Sequence, residues 1–429
     1  MNRTPNTVQL SIRPRVTCPH CWETYPSEDS LWIAQHEDLR DDPLLGHDAQ
    51  QRFLPTRFDI DGNAIDILGM KCQALACPKC HLPVPRALYE MACQFYSIMG
   101  TPSCGKSYFL ASMTWQLRQT LPKIFQLSWT DADPISNAIL NSYEQLQFFN
   151  SDQEAVVKLE KTQEQGDLYD AVRYGDQVVS YPRPFMFSVQ PLPSHPSFTT
   201  SDKCSRVICM YDNAGESFQP GRDTTASPVT RHLARSQVLF FLFDPTQDPR
   251  FREACQECRS QQDPQMVGQS PVHRQDIVLN EAASRIRKYS GLKTNEQHQR
   301  PLIVVVTKYD AWSELLNADL EAPPWRSGRK SSMYALDLDH IATVSQSLRE
   351  LLWKYSPEIV SAAEGFARQV VFVPVSATGT APIVDPKTGL IRGIRIRNIR
   401  PRWVEVPLLL AFARWSGGLV PYWTARTAT

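Results

Sequence analysis

The sequence predicts an α/β protein: a mainly parallel sheet flanked by helices, carrying two helical insertions, with a small cysteine-bearing module in front of it. Three observations predict this. From Gln94 onward short apolar runs alternate with helix-period stretches, the pattern of a parallel sheet covered by helices. The first of those runs leads directly into Gly100-Thr101-Pro102-Ser103-Cys104-Gly105-Lys106-Ser107 and then a helix pattern, the strand-loop-helix context that a phosphate-binding loop requires. Two Cys-Pro-x-Cys pairs, Cys18/Cys21 and Cys77/Cys80, bracket the N-terminal stretch, and Pro83 and Pro85 follow as a linker.

Composition bounds what the chain does. It has 429 residues, with 45 Lys and Arg against 45 Asp and Glu, a length that suits roughly two or three domains. The balanced charge argues against binding to nucleic acid or membrane by bulk electrostatics. No apolar run reaches the ~18 residues needed to cross a bilayer, and residues 1–16 lack the apolar segment of a secretory signal. Four of the 11 cysteines fall in the two knuckles, which suits metal ligation in a reducing compartment better than a disulfide framework. A cytoplasmic protein is expected, divided into a module at 1–92 and a main domain at 93–429 with insertions at about 125–181 and 247–299.

In chain order, the expected strands are 95–99, 185–189, 206–211, 238–243, 302–306 and 370–375. Only the second and third are joined by a connection short enough for antiparallel neighbours. Helices are expected at 106–119 and 228–236, and both insertions read as polar and helical. After a turn at Asp385-Pro386-Lys387-Thr388-Gly389, the stretch 391–402 alternates Ile394 and Ile396 with Arg395 and Arg397. Such a strand would dock phosphates or an acidic partner, or serve as a charged edge that discourages sheet-to-sheet association. Residues 404–415 read as the last helix, on the sheet.

The glycine loop carries the chemistry. Gly100 and Gly105 let the backbone wrap closely, so that successive N–H groups and a helix N-terminus face phosphate. Lys106 would reach the β and γ phosphates and the Ser107 hydroxyl would ligate Mg²⁺. Cys104 inside the loop is a small filler, or a thiol with a lowered pKa beside a helix N-terminus. Asp212-Asn213-Ala214-Gly215 follows the third run: Asp212 would hold Mg²⁺ through water, and the Gly215 N–H would face the γ-phosphate. Thr307-Lys308-Tyr309-Asp310 and Ser376-Ala377-Thr378 each follow a later run.

In order, spacing and placement these segments resemble the P-loop GTPases of the Ras-like (TRAFAC) type, over Gln94 to the C-terminus. That resemblance implies GTP and Mg²⁺ as ligands, with Thr307, Lys308, Asp310, Ser376 and Ala377 forming the guanine site. Asp310 would accept from guanine N1 and N2, Lys308 would lie along the ring, and the Ala377 backbone would donate to O6. The expected catalytic residues are Lys106, Glu216 and Thr162. Glu216 stands where such proteins usually place a glutamine that orients water, and a carboxylate there predicts slow hydrolysis. Thr162 is the best candidate for the threonine that closes over Mg²⁺, with Ser180 second. Arg222, Arg231 and Arg235 would supply an arginine in cis, or are ordinary surface charges.

Each Cys-Pro-x-Cys knuckle places two thiolates on a tight turn, and two knuckles make the closed tetrahedral set that structural Zn²⁺ prefers. The stretch 22–76 between them is longer than in a minimal zinc ribbon, and Trp22 and His81 replace the glycine often found after a knuckle. The alternative is two unrelated pairs of buried thiols, and Cys72, His20 or His81 would also serve in place of one ligand. Cys255/Cys258 lacks the proline and reads as chance or a helix face. A zinc-ribbon-like module joined to a GTPase with large insertions resembles bacterial GTPases of conflict and signalling systems. The expected function is a GTP-binding, slowly hydrolysing switch whose module and insertions meet a protein partner. The alternatives are a non-hydrolysing, GTP-bound scaffold, or a nucleic-acid-associated GTPase using the ribbon and the arginine strand.

Overall fold

The computed structural model describes residues 12–159, 169–213, 218, 231–256, 258, 263–264, 274–318, 320–327, 333–385 and 387–425. The apolar runs become β1 (Ala92–Gly100), β2 (Leu127–Asp131), β3 (Phe185–Pro191), β4 (Arg206–Asp212), β5 (Val238–Phe243), β6 (Leu302–Val306) and β7 (Val370–Pro374). They form one seven-stranded sheet in the order β2-β3-β4-β1-β5-β6-β7. From β4 to β7 all pairings are parallel, while β3 is antiparallel to both of its neighbours. The 192–205 connection holds only two short helical turns, Phe198–Thr200 and Ser201–Cys204, so the chain turns back there instead of crossing over. β5 and β6 are apolar throughout and buried on both faces, as parallel strands between helix layers must be.

The helices are α1 (Lys106–Ile124), α2 (Ala138–Phe148), α3 (Gln275–Ser290), α4 (Leu338–Tyr355), α5 (Pro357–Phe366) and α6 (Val406–Arg414). Alternation along β4 divides the core in two. Ile208 and Met210 join Phe109 and Leu117 of α1 and the apolar residues of α6. Val207, Cys209 and Tyr211, on the other face, join Val16, Leu82, Val84 and Met91 of the N-terminal segment. That segment is built of very short strands, the largest group being Pro83–Val84, Leu75–Ala76, Leu31–Ile33 and Arg52–Phe53.

Several expectations need correction. Much of 125–181 is strand rather than helix: β2, Val156–Val157, and a hairpin of Tyr169–Tyr174 with Gln177–Pro182. Leu127 and Trp129 are buried while Thr130 between them and Asp131 is exposed, a period of two that a helix cannot satisfy. Among the described residues there α2 is the helix, tied to α1 by Arg118, which donates to Glu144 at 2.9 Å and Asp131 at 2.8 Å. Among the described residues of 228–236, the structure has a single 3-10 turn, Arg231–Arg235. The arginine strand is not an edge: Ile391–Arg395 lies between Val156–Val157 and Ile383–Val384. The strand ends at Arg395, where a 3-10 turn, Ile396–Asn398, follows, and Arg395 and Arg397 share the single carboxylate of Glu154. No helix among the described residues is long and apolar enough to cross a membrane.

Candidate functional site

The glycine loop runs from the end of β1 into α1, and its two glycines are there for different reasons. A Cβ on Gly100 would lie 2.8 Å from the Leu242 carbonyl oxygen of neighbouring β5, so no side chain fits. Gly105 sits at φ +92° as the N-cap of α1, a left-handed conformation that glycine adopts without strain. Lys106 is buried, and its Nζ donates to the carbonyls of Gly100 at 3.2 Å and Thr101 at 2.9 Å. The ammonium thus crosses the mouth of the loop. Cys104 is fully buried, and burial pushes its thiol pKa up even though Lys106 pulls the other way. Of the two readings of Cys104 this favours the small filler: it packs inside the loop. The same thiol feels Asp244, Lys308 and Asp212, so charges from four separate segments converge on it.

Asp212 is the last residue of β4, paired in register with Ile98 of β1. Asn213 is buried, and its Nδ2 donates to the Ile98 carbonyl at 2.9 Å. Ser107 is the second residue of α1. Gly215, Glu216, Thr162 and Arg222 lie outside the described residues. Ser180 is inside the hairpin, opposite Ala171. Arg231 lies over the Tyr289 ring, 5.9 Å from its centroid, and Arg235 is exposed.

At the other end of the sheet the later motifs meet. Thr307 donates its N–H to Phe243 O at 2.9 Å, and Tyr309 to Val375 O at 3.0 Å. This locks the ends of β5, β6 and β7 together. Lys308 takes a left-handed φ of +57° and reaches Asp244 at 2.8 Å and Asp263 at 3.4 Å. Burial alone would lower its pKa, but the two carboxylates outweigh that and hold the ammonium above its usual value. Asp310 is half-buried and accepts from the Ser376 hydroxyl. Burial raises its pKa despite that bond. Ser112 of α1 donates to the Ala377 carbonyl at 2.7 Å, which ties the helix of the glycine loop to the loop after β7.

Sequence reasoning missed three residues. Gln247 spans from Thr101, whose hydroxyl it accepts at 3.0 Å, to the Pro102 carbonyl at 3.1 Å. Gln275 accepts from Thr101 at 3.3 Å and brackets Asp244 through that residue's N–H and carbonyl, at 2.9 and 2.7 Å. These two buried glutamines, with Asp244, brace the glycine loop against the end of β5. No local signal marks them within a stretch already rich in Gln.

The four cysteines of the knuckles come together. The ligand atoms of Cys18, Cys21, Cys77 and Cys80 lie within 4.8 Å of one another, and all four residues are buried. Cys18 and Cys80 are 3.7 Å apart, as are Cys21 and Cys77. Burial pushes the Cys18 thiol well up, while its three neighbours pull Cys77 down. Four buried sulfurs converging this closely fit a thiophilic divalent cation, and Zn²⁺ suits four thiolates best. Cys72 stands apart against Asp66, His20 against the Pro83 carbonyl and His81 against Asp42. Trp22 and His81, after the knuckles, have φ of +61° and +62°, a strain of about 1–2 kcal/mol each for a residue with a Cβ. Cys258 meets the Ala254 carbonyl, and Cys255 is buried.

No family model matches the chain, and no curated protein matches it in sequence. Solved structures that resemble it include Sup35 complexed with GDP, 10% identical with a TM-score of 0.24 over 68% of this chain and 39% of that one. Era in complex with MgGDPNP and nucleotides of 16S ribosomal RNA is 13% identical, with a TM-score of 0.23 over 67% and 52%. The GTP-bound Ski7 GTPase-like domain of S. cerevisiae is 13% identical, with a TM-score of 0.25 over 67% and 43%. The chain therefore spans about two fifths to half the length of these proteins. TM-scores this low carry no weight for chemistry, which rests on the geometry above.

Proposed function

We propose that the chain is a Mg²⁺-dependent GTP-binding protein and a slow GTPase that acts as a switch. One observation carries the reading: Asp310 meets Ser376 at the ends of adjacent parallel strands, while Ser112 ties the glycine-loop helix to Ala377. A base held at that end would have its phosphates running towards the loop. There Lys106 would exchange the Gly100 and Thr101 carbonyls for phosphate oxygens, a charge-assisted contact. The half-buried Asp310 carboxylate would accept from guanine N1–H and N2–H, and adenine offers it an acceptor at N1 instead. Ser107 and Asp212 would hold the Mg²⁺, which offsets phosphate charge when bound.

Glu216 in place of glutamine supports slow turnover and keeps a GTP-bound scaffold as the second reading. The balanced charge, 45 basic against 45 acidic residues, argues against the nucleic-acid reading. The partner is a protein, reached through the cysteine module and the insertions. Nucleotide extraction from purified protein, then GTP and ATP turnover by wild type and Lys106→Ala, tests this. Bound guanine nucleotide and Lys106-dependent GTP turnover support it; a preference for ATP overturns the guanine assignment, and binding without turnover brings the scaffold forward.

A further inference from the structure

The first cysteine knuckle reaches the nucleotide site through one side chain. Tyr211, immediately before Asp212, is fully buried; its hydroxyl donates to the Pro19 carbonyl, inside Cys18-Pro19-His20-Cys21, and accepts from Trp22 Nε1 at 3.1 Å. The Tyr211 ring stacks on His232 with centroids 4.2 Å apart and planes 13° from parallel. Asn213 donates through Nδ2 to Ile98 O, so its Oδ1 accepts from His232 Nε2–H at 2.9 Å. The other ring nitrogen then accepts from the Ser97 hydroxyl of β1, at 2.6 Å. The residues on both sides of Asp212 are thus held by groups anchored in the knuckle and in the strand that leads to the glycine loop.

The second knuckle is engaged in a similar way. The hairpin 169–182 puts Val172, Val179 and Tyr181 into one apolar cluster with the four cysteines. Tyr174 also donates to the carbonyl of Lys79, between Cys77 and Cys80, at 3.3 Å. This hairpin begins seven positions after Thr162, and the Tyr211 contact lies four positions before Gly215. The backbone at Trp22 is left-handed, so that position would suit glycine better, yet the tryptophan supplies the Nε1 donor that Tyr211 receives.

We infer that the four-cysteine module is a regulatory part of the nucleotide site: Tyr211 and His232 are positioning residues that link metal occupancy to nucleotide affinity. This rests on the GTP-binding reading above. Linkage is reciprocal, so nucleotide must hold the metal as firmly as the metal holds the nucleotide site in place.

The test uses the full chain loaded with zinc. Binding of a fluorescent GDP analogue with Mg²⁺ is titrated for wild type, Tyr211→Phe and Trp22→Phe. Zinc release to a chromogenic chelator is timed with and without saturating GDP. Tyr211→Phe keeps the ring stack and removes the hydroxyl, and is expected to weaken nucleotide binding roughly 5- to 150-fold, the usual range of coupling between sites. GDP is expected to slow zinc release several-fold in wild type and much less in Tyr211→Phe. A residue of merely structural importance would not make zinc release depend on nucleotide. Wild type that binds GDP, with unchanged affinity in both variants and release rates indifferent to GDP, overturns the linkage and leaves the GTP reading standing. Wild type that binds no guanine nucleotide overturns both. Should the variants fail to fold, the wild-type release rates decide alone.

Discussion

The cysteine cluster and the nucleotide site solve opposite problems. In the cluster, four sulfurs drawn from distant parts of the chain face one another within 4.8 Å, met otherwise by the backbone N–H groups of His20 and Lys79. In the proposed nucleotide site three charged side chains already have protein partners. Lys106 lies on loop carbonyls, Lys308 on Asp244 and Asp263, and Asp310 on Ser376. A metal at the first site completes the fold, whereas a nucleotide at the second exchanges partners. The first should therefore dominate stability and the second should dominate specificity.

The largest expected effect breaks the metal side. Cys77→Ser should abolish zinc content measured by elemental analysis and lower the unfolding midpoint steeply, since structural zinc supplies roughly 10–16 kcal/mol in small metal-dependent domains. Wild type without zinc would return the cysteines to two unrelated pairs, and zinc retained by the variant would remove Cys77 from the ligand set. Next is Lys106→Ala, which removes charge-assisted phosphate contacts of about 1.5–3 kcal/mol. GTP affinity by calorimetry should fall roughly 10- to 150-fold with zinc content unchanged. Simultaneous loss of zinc would erase the distinction between the regions.

Asp310→Asn sharpens the comparison at the base. The amide offers a donor where the carboxylate accepted, so GTP binding should weaken by about tenfold or more while xanthosine triphosphate binding improves. Acid should act similarly. Asp310 must be ionised to accept from guanine, and burial raises its pKa, so GTP affinity should fall with pH before ordinary carboxylates protonate. The Asn variant should lose that pH dependence, and a wild-type affinity flat down to the ordinary carboxylate range would exclude Asp310 as the acceptor.

A last effect lies in neither region and sets the background. Glu405, at the start of α6, is buried, and that pushes its pKa from 4.5 to about 6. A raised folded-state pKa means that this stability contribution is complete below 4.5 and is lost as pH rises through about 6. Glu405→Gln should thus match wild type in acid and exceed it by about 2 kcal/mol at neutral pH in denaturant melts. Equal stability at both pH values would mean that the ionised carboxylate is solvated.

The strands that lead into contiguous motifs were legible beforehand: residues 100–107, 307–310 and 376–377 each follow an apolar run that became a strand. The antiparallel β3 was legible from its short connection. What escaped depends on long-range pairing. Gln247 and Gln275 acquire meaning only when β5 and α3 bring them to Thr101. The arginine strand looked like an edge because its partners at 156–157 lie far off in sequence. Trp22 showed only as a missing glycine, and its partner Tyr211 is 189 positions away.

The most direct measurement is competition at equilibrium: unlabelled GTP and ATP displacing a fluorescent GTP analogue from zinc-loaded wild-type protein with Mg²⁺. The account predicts displacement by GTP at concentrations at least a hundredfold below those needed with ATP, on the order of two good hydrogen bonds to a carboxylate. Equal displacement by the two, or stronger displacement by ATP, would contradict it.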